Sequence, residues 1–363
     1  MTEQRKRQPT WNGAPISRRN LLLGAAVVAG FLAVDLGGLL YCNNRIGPAR
    51  LTPQVFLDGF LKVFGPQLGF RKNHAKGVVV EGYFESNGSG RELSRAAVFR
   101  PGRTRVVGRF SLSGGNPGAV DAAATARGLG LAFGFPGEEQ WRTAMLNLPV
   151  FPDNSAQGFY DRLLSSKVVP ATGKPDSAGM SQFLAKHPET ARAMAIVDQH
   201  PPSPGFADST YRSLITFYFI NEAGERTPVR WSFVPLQRAL PPSTGLNGLF
   251  APLIQQLRSR PLRWRLLLTV GTPSDPAHDA TLPWPTDRQA IDAGVLTLTS
   301  IDSDRPGNAR DINFDPLVLP SGIEPSDDPV LSARSATYSQ SFTRREGEKK
   351  TPSAVQVPIG KSS

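Results

Sequence analysis

Hydrophobic positions recur along this chain at two periods. Over residues 51–65, Val55, Phe56, Phe60, Leu61 and Phe64 return at helical spacing, which predicts an amphipathic helix with one buried stripe. Six later stretches alternate apolar and polar residues instead, at 78–84, 105–111, 213–220, 229–234, 262–270 and 294–301. Alternation of that kind predicts strands with one face turned inward. Helical spacing returns near 119–127, 155–166, 180–197, 245–258 and 286–292. Strands and helices do not take turns regularly, which argues against a doubly wound parallel sheet. A closed antiparallel barrel with helices packed outside, an α+β fold, accommodates the pattern, and barrels of this size can hold a ligand. No internal repeat interrupts it.

The first fifty residues follow a different pattern. Residues 21–41 (LLLGAAVVAGFLAVDLGGLLY) form an apolar run with one charge, Asp35, long enough to cross a bilayer as a helix. Before it, Arg5, Lys6, Arg7, Arg18 and Arg19 stand against the single acid Glu3, which keeps residues 1–20 cytoplasmic. The run Ser17-Arg18-Arg19-Asn20-Leu21-Leu22 is similar to a twin-arginine export signal, although the usual basic residue after the apolar pair is missing. No small-x-small cleavage site follows the apolar run, so retention as an anchor is favoured over removal. Cys42 stands where a lipoprotein cysteine could, but Tyr41 before it is too large for that motif. The expectation is a single pass through a bacterial inner membrane with the folded domain in the periplasm, or release there after export.

Composition narrows the rest. The 33 prolines and 35 glycines predict many turns and few long helices. A net charge of +11 suggests an anionic partner, but beyond residue 20 the bases are scattered singly among acids, so nucleic acid is not expected. One cysteine excludes an intrachain disulfide, and four histidines (His74, His187, His200, His278) argue against a multi-histidine metal site. Residues 347–363 are polar and expected to be disordered, leaving 48–346 as the folded domain.

The chemistry lies in local motifs. Arg71-Lys72-Asn73-His74-Ala75-Lys76-Gly77 resembles the distal segment of catalases. Arg109-Phe110-Ser111 resembles their Arg-Phe-Ser strand, and a Gly-rich turn, Asp121 and Arg127-Gly128 follow as they do there. Pro149-Val150-Phe151 resembles the distal wall, with Phe159 eight residues on. Asn313-Phe314-Asp315-Pro316 and the run from Pro320 to Ser326 resemble the approach to the proximal helix. That helix would carry Arg334, Tyr338 at i+4 and Arg345 seven residues later. The fragments keep the family's order across the soluble domain. Catalases proper extend well beyond this point, and segments such as Trp141-Arg142-Thr143-Ala144-Met145 resemble the small, catalase-related haem peroxidases of bacteria.

The resemblance implies a buried haem, of the b type, and cleavage of a hydroperoxide O–O bond on its iron. His74 would be the base, with Ser111 fixing its tautomer, since a neutral imidazole has a suitable pKa. Tyr338 would be the axial ligand, its phenolate stabilised by Arg334. Arg71, Arg109 and Arg345 would pair with the propionates, Phe159 would stack on the macrocycle, and Phe151 would line the peroxide side. One position departs from the family. The asparagine expected three residues before Pro149 is Leu146, and Asn147 comes one position late. Either a shifted loop turns Asn147 inward as the catalytic amide, or the pocket lacks it. Its loss would impair peroxide dismutation more than peroxidase turnover, which draws electrons from another donor. The resulting expectation is a peroxidase for hydrogen peroxide or organic hydroperoxides, protective against oxidative stress and supplied by a periplasmic or membrane electron donor. A true catalase and a non-catalytic haem-binding or electron-transfer subunit are the alternatives, and the oligomeric state is left open.

Overall fold

Strand register decides where each side chain of this chain goes. The computed structural model describes residues 51–134 and 137–358, together with a two-stranded backbone pair, Thr10–Trp11 with Ala14–Pro15. The apolar run at 21–41, the twin-arginine motif and Cys42 lie outside the described residues. Among the described residues no helix is long and apolar enough to cross a membrane.

Eight strands close into an antiparallel barrel. In chain order they are β1 (Gly77–Ser86), β2 (Gly102–Leu112), β3 (Arg127–Phe133), β4 (Trp141–Leu146), β5 (Tyr211–Arg212), β7 (Arg226–Pro235), β8 (Leu262–Val270) and β9 (Ala290–Ser303). Neighbours run β8-β9-β1-β2-β3-β4-β5-β7, and β7 pairs back onto β8 to complete the ring. Two further strands, β6 (Phe217–Ile220) and β10 (Ile323–Pro325), extend the sheet beyond β7. Inward-facing aromatic residues fill the interior: Phe84, Phe110, Phe133, Trp141, Phe233 and Trp264 are each at most 1% exposed. Phe133 stacks on Trp141 with centroids 4.9 Å apart. Each such side chain contributes about 1.5–3 kcal/mol by leaving water. The barrel interior is therefore a packed core, and the space for a ligand lies outside the wall, beneath helices.

Those helices are α1 (Pro53–Phe64), α2 (Ala156–Ser165), α3 (Ser177–Lys186), α4 (Pro188–Gln199), α5 (Phe250–Ser259) and α6 (Pro329–Glu346). The periodicity over 180–197 resolves into two helices because Pro188 disfavours helical backbone at His187, which has φ −124° and ψ 69°. The helix expected at 119–127 is absent. Asp121 is drawn out to Lys76 and to the N-terminus of α5, and β3 begins at Arg127. No helix forms at 286–292 either; a turn there leads directly into β9. The tail is corrected too. Residues 347–358, expected to be disordered, lie along the domain, with Val355 fully buried and Val357 N–H donating to Ser303 Oγ.

Candidate active site

A cavity of about 420 Å³ lies between the outer face of the barrel and helices α1, α2 and α6. Strand alternation builds its floor. In β2, Phe110 points into the core, so Arg109 and Ser111 on either side face outward into the cavity. Gly128 and Gly130 of β3 keep the floor low: a Cβ at Gly128 would lie 2.9 Å from Ser111 Oγ and 3.0 Å from the His74 ring.

His74 ends the loop before β1 with a left-handed backbone (φ 56°), which a side chain other than glycine's rarely adopts. Three contacts hold it there. Its N–H donates to Asn73 Oδ1 at 3.0 Å, its carbonyl accepts from Arg109 Nη1 at 2.8 Å, and Nδ1 lies 3.0 Å from Ser111 Oγ. With Nδ1 held by the hydroxyl, Nε2 is the ring nitrogen left for chemistry. Burial, and then the guanidiniums of Arg109, Arg334 and Arg71, lower its pKa to about 3, so the ring is neutral at physiological pH.

Three arginines converge on the same cavity. Arg109 is nearly buried and pairs with Asp304, Nη2 to Oδ2 at 2.8 Å. Arg71 Nη2 donates to the carbonyls of Ala309, Arg310 and Ile312. Arg345, 2% exposed, has Nε and Nη2 buried without a partner among the described residues. Burial pushes the Arg71 pKa well down, and the nearby charges of Arg109 and Arg345 push it further. A cluster of like charges with one carboxylate and unsatisfied N–H groups calls for anionic groups to complete it.

Helix α6 carries Arg334 and Tyr338 to the cavity one turn apart. The Arg334 guanidinium lies 6.0 Å from the Tyr338 ring centroid, and its Nη2 donates to Ala144 O at 3.3 Å. Asp328 caps the helix by accepting from Val330 N–H at 2.8 Å. Apolar side chains close the remaining walls: Phe159 of α2 sits 6.3 Å from Phe151, nearly parallel, and 6.1 Å from Phe56 of α1.

Nine of the ten side chains singled out from the sequence therefore line one cavity: His74, Ser111, Arg71, Arg109, Phe151, Phe159, Arg334, Tyr338 and Arg345. Asn147 does not. Its Oδ1 accepts from Arg127 N–H at 2.7 Å, its N–H returns to Arg127 O, and Leu146 takes the cavity wall instead. The expectation that Asn147 turns inward is thus corrected, because pairing with β3 holds its amide on the backbone. Sequence reasoning missed Asp304, which no local motif marks, and the aromatic stripe of α1 as part of the site. It also left Asn73 without a role.

A largely apolar cavity, a phenol and a neutral imidazole on its walls, and three clustered arginines, one of them with unpartnered N–H groups, fit a planar apolar group bearing carboxylates. Fold and site together define a barrel protein built around such a group. The catalase family profile matches residues 43–240. A catalase-related peroxidase of Synechococcus elongatus is 39% identical over 302 residues, covering 81% of this chain and 89% of that protein. One from Mycolicibacterium paratuberculosis is 28% identical, over 82% of this chain and 96% of its own length. The crystal structure of a fungal catalase superposes with a TM-score of 0.68 at 23% identity, over 83% of this chain and 64% of that one. The chain belongs to the catalase family.

Proposed function

We propose that this protein is a haem-dependent peroxidase that reduces hydrogen peroxide or organic hydroperoxides with electrons from an external donor. The reaction balances as one hydroperoxide, two electrons and two protons giving one alcohol, or water, and one water. Bound haem, here proposed as haem b, supplies the iron at which the peroxide O–O bond is cleaved. The single observation that carries the reading is the neutral, oriented imidazole facing the same cavity as Tyr338.

This chain's residues would divide the work as follows. His74 Nε2 takes the proton from the incoming hydroperoxide and returns it to the departing oxygen, while Ser111 holds the tautomer that makes this possible. Tyr338 would hold the haem iron through its side-chain oxygen, with Arg334 beside it one helical turn back. Arg71, Arg109 and Arg345 would hold the propionates; Arg345 would gain most, because two of its nitrogens lack partners among the described residues. Phe159 and Phe151 pack on the macrocycle and the peroxide side. Leu146 favours the peroxidase reading over dismutation, since an apolar wall offers no hydrogen bond at that position. A periplasmic or membrane donor, and either an inner-membrane anchor at 21–41 or release after twin-arginine export, complete the proposal on the sequence evidence.

The test uses purified, haem-replete protein. Dye oxidation by peroxide without oxygen evolution is expected, and His74→Ala should lower it by about 100-fold or more with the haem retained. Vigorous oxygen evolution would make the protein a catalase, and haem binding with neither activity would make it a carrier; either result overturns the proposal.

A further inference from the structure

Asn73 is a polar residue of the cavity wall, next in sequence to His74. Its Oδ1 accepts from two backbone donors, His74 N–H at 3.0 Å and Gly114 N–H at 2.9 Å. Because both partners are donors, they fix which end of the carboxamide is oxygen and which is nitrogen. Asn73 lines the cavity beside His74, and its Nδ2 has no hydrogen-bond partner among the described residues. The residue is only partly buried, so the nitrogen is not sealed within the core. Across the same cavity the wall is Leu146, while Asn147 spends its oxygen on Arg127.

We propose that Asn73 supplies the amide missing at position 146: Nδ2 donates a hydrogen bond to the hydroperoxide beside His74 Nε2. Its Oδ1 meanwhile holds His74 in its left-handed backbone. One carboxamide thus joins the base and the substrate, and the two backbone bonds orient the donor before peroxide arrives. Donors fixed in advance in this way stabilise developing charge without reorganisation. The inference rests on the haem-peroxidase reading and concerns the first encounter with peroxide, not the step fed by the electron donor.

Asn73→Asp keeps the oxygen that clamps His74 and Gly114 but removes the donor; Asn73→Ala removes the donor without adding charge. In both, the second-order rate constant for hydrogen peroxide should fall about tenfold or more. The turnover limit set by the reducing dye should stay within about twofold. Cyanide titrated into the resting ferric protein gives a readout independent of turnover, and its dissociation constant should rise in both variants. Adding Leu146→Asn to Asn73→Asp should recover part of the peroxide rate, which a purely structural defect would not allow. Haem absorption and Tm unchanged from wild type confirm that the fold is intact. Wild-type rates and cyanide affinity in both single variants would overturn the role of Asn73 and leave the peroxidase reading standing. A wild-type protein without haem or dye oxidation would overturn that reading first.

Discussion

At the scale of single residues, the site works by keeping one imidazole neutral and gathering three guanidiniums, of which Arg345 has two nitrogens without partners among the described residues. Burial and neighbouring cations hold the His74 pKa near 3, against about 6.5 for a free imidazole. Protonation of His74 would abolish its proposed role as base, so the peroxide rate constant should be flat from about pH 8 down to about pH 5 and fall only nearer pH 3. The depressed pKa also sets a sign for stability. Between about pH 6.5 and 3 the unfolded chain binds a proton that the native state refuses, so His74 lowers stability as pH falls through that window. A pH–rate profile with an inflection near 6.5 would contradict this environment. Ser111→Ala should retain haem but slow the peroxide reaction about 10–100-fold, as loss of an orienting partner does; stopped-flow mixing checks it. Motif residues were legible in the sequence because each sits in a short run carrying its own context. Asn147 was not, because the side to which it turns is set by pairing with Arg127, which no local pattern records. Asp304, 195 residues from Arg109, left no sequence signal at all.

Elements were legible where one face is buried and the other wet. Strand β8 appears with the bounds its alternation predicts, and α1 and α2 fall within a residue or two of theirs. Strand β3 was missed because six of its seven residues are buried, leaving no alternation to read. In β4, the outward Ala144 and Leu146 are apolar because they face the cavity rather than water, which blurs the same signal. Helix α6 raises a further prediction. Burial lifts the pKa of its cap, Asp328, to about 6, and Oδ2 has no partner among the described residues. Between about pH 4 and 6 the native state keeps a proton that the unfolded chain releases, so this group costs stability as pH rises, fully so above pH 6. Asp328→Asn keeps a capping oxygen and should raise Tm at pH 7 more than at pH 4.5. Equal shifts at both pH values in thermal denaturation would contradict it.

At the scale of the whole molecule, closure of the barrel fixes the site from both directions of the chain. Residues near 71–77 and 109–111 meet residues near 304 and 334–345 because β9 lies against β1 and α6 returns over the outer face of the barrel wall. The segment after α6 tightens this arrangement. Glu348 accepts from Gly69 N–H at 2.7 Å and pairs with Lys72 Nζ at 2.8 Å, two residues before His74. Glu348→Ala should therefore cost about 1–3 kcal/mol by removing the carboxylate partner of the Lys72 ammonium and leaving the Gly69 backbone donor unpaired. Denaturant unfolding checks that figure, and no change in midpoint would show the tail to be dispensable. The sequence led to an antiparallel barrel, but it did not show that aromatic side chains fill the interior and push the cavity outside. That depends on which strand faces share the inside, a property of the closed sheet.

The central claim is a haem held between His74 and Tyr338, and the visible spectrum of the haem-replete protein tests it most directly. Wild type should show the absorption of a tyrosinate-ligated ferric haem, and Tyr338→Phe should lose those bands and much of its haem. A Tyr338→Phe protein with the wild-type spectrum and full haem content would contradict the account.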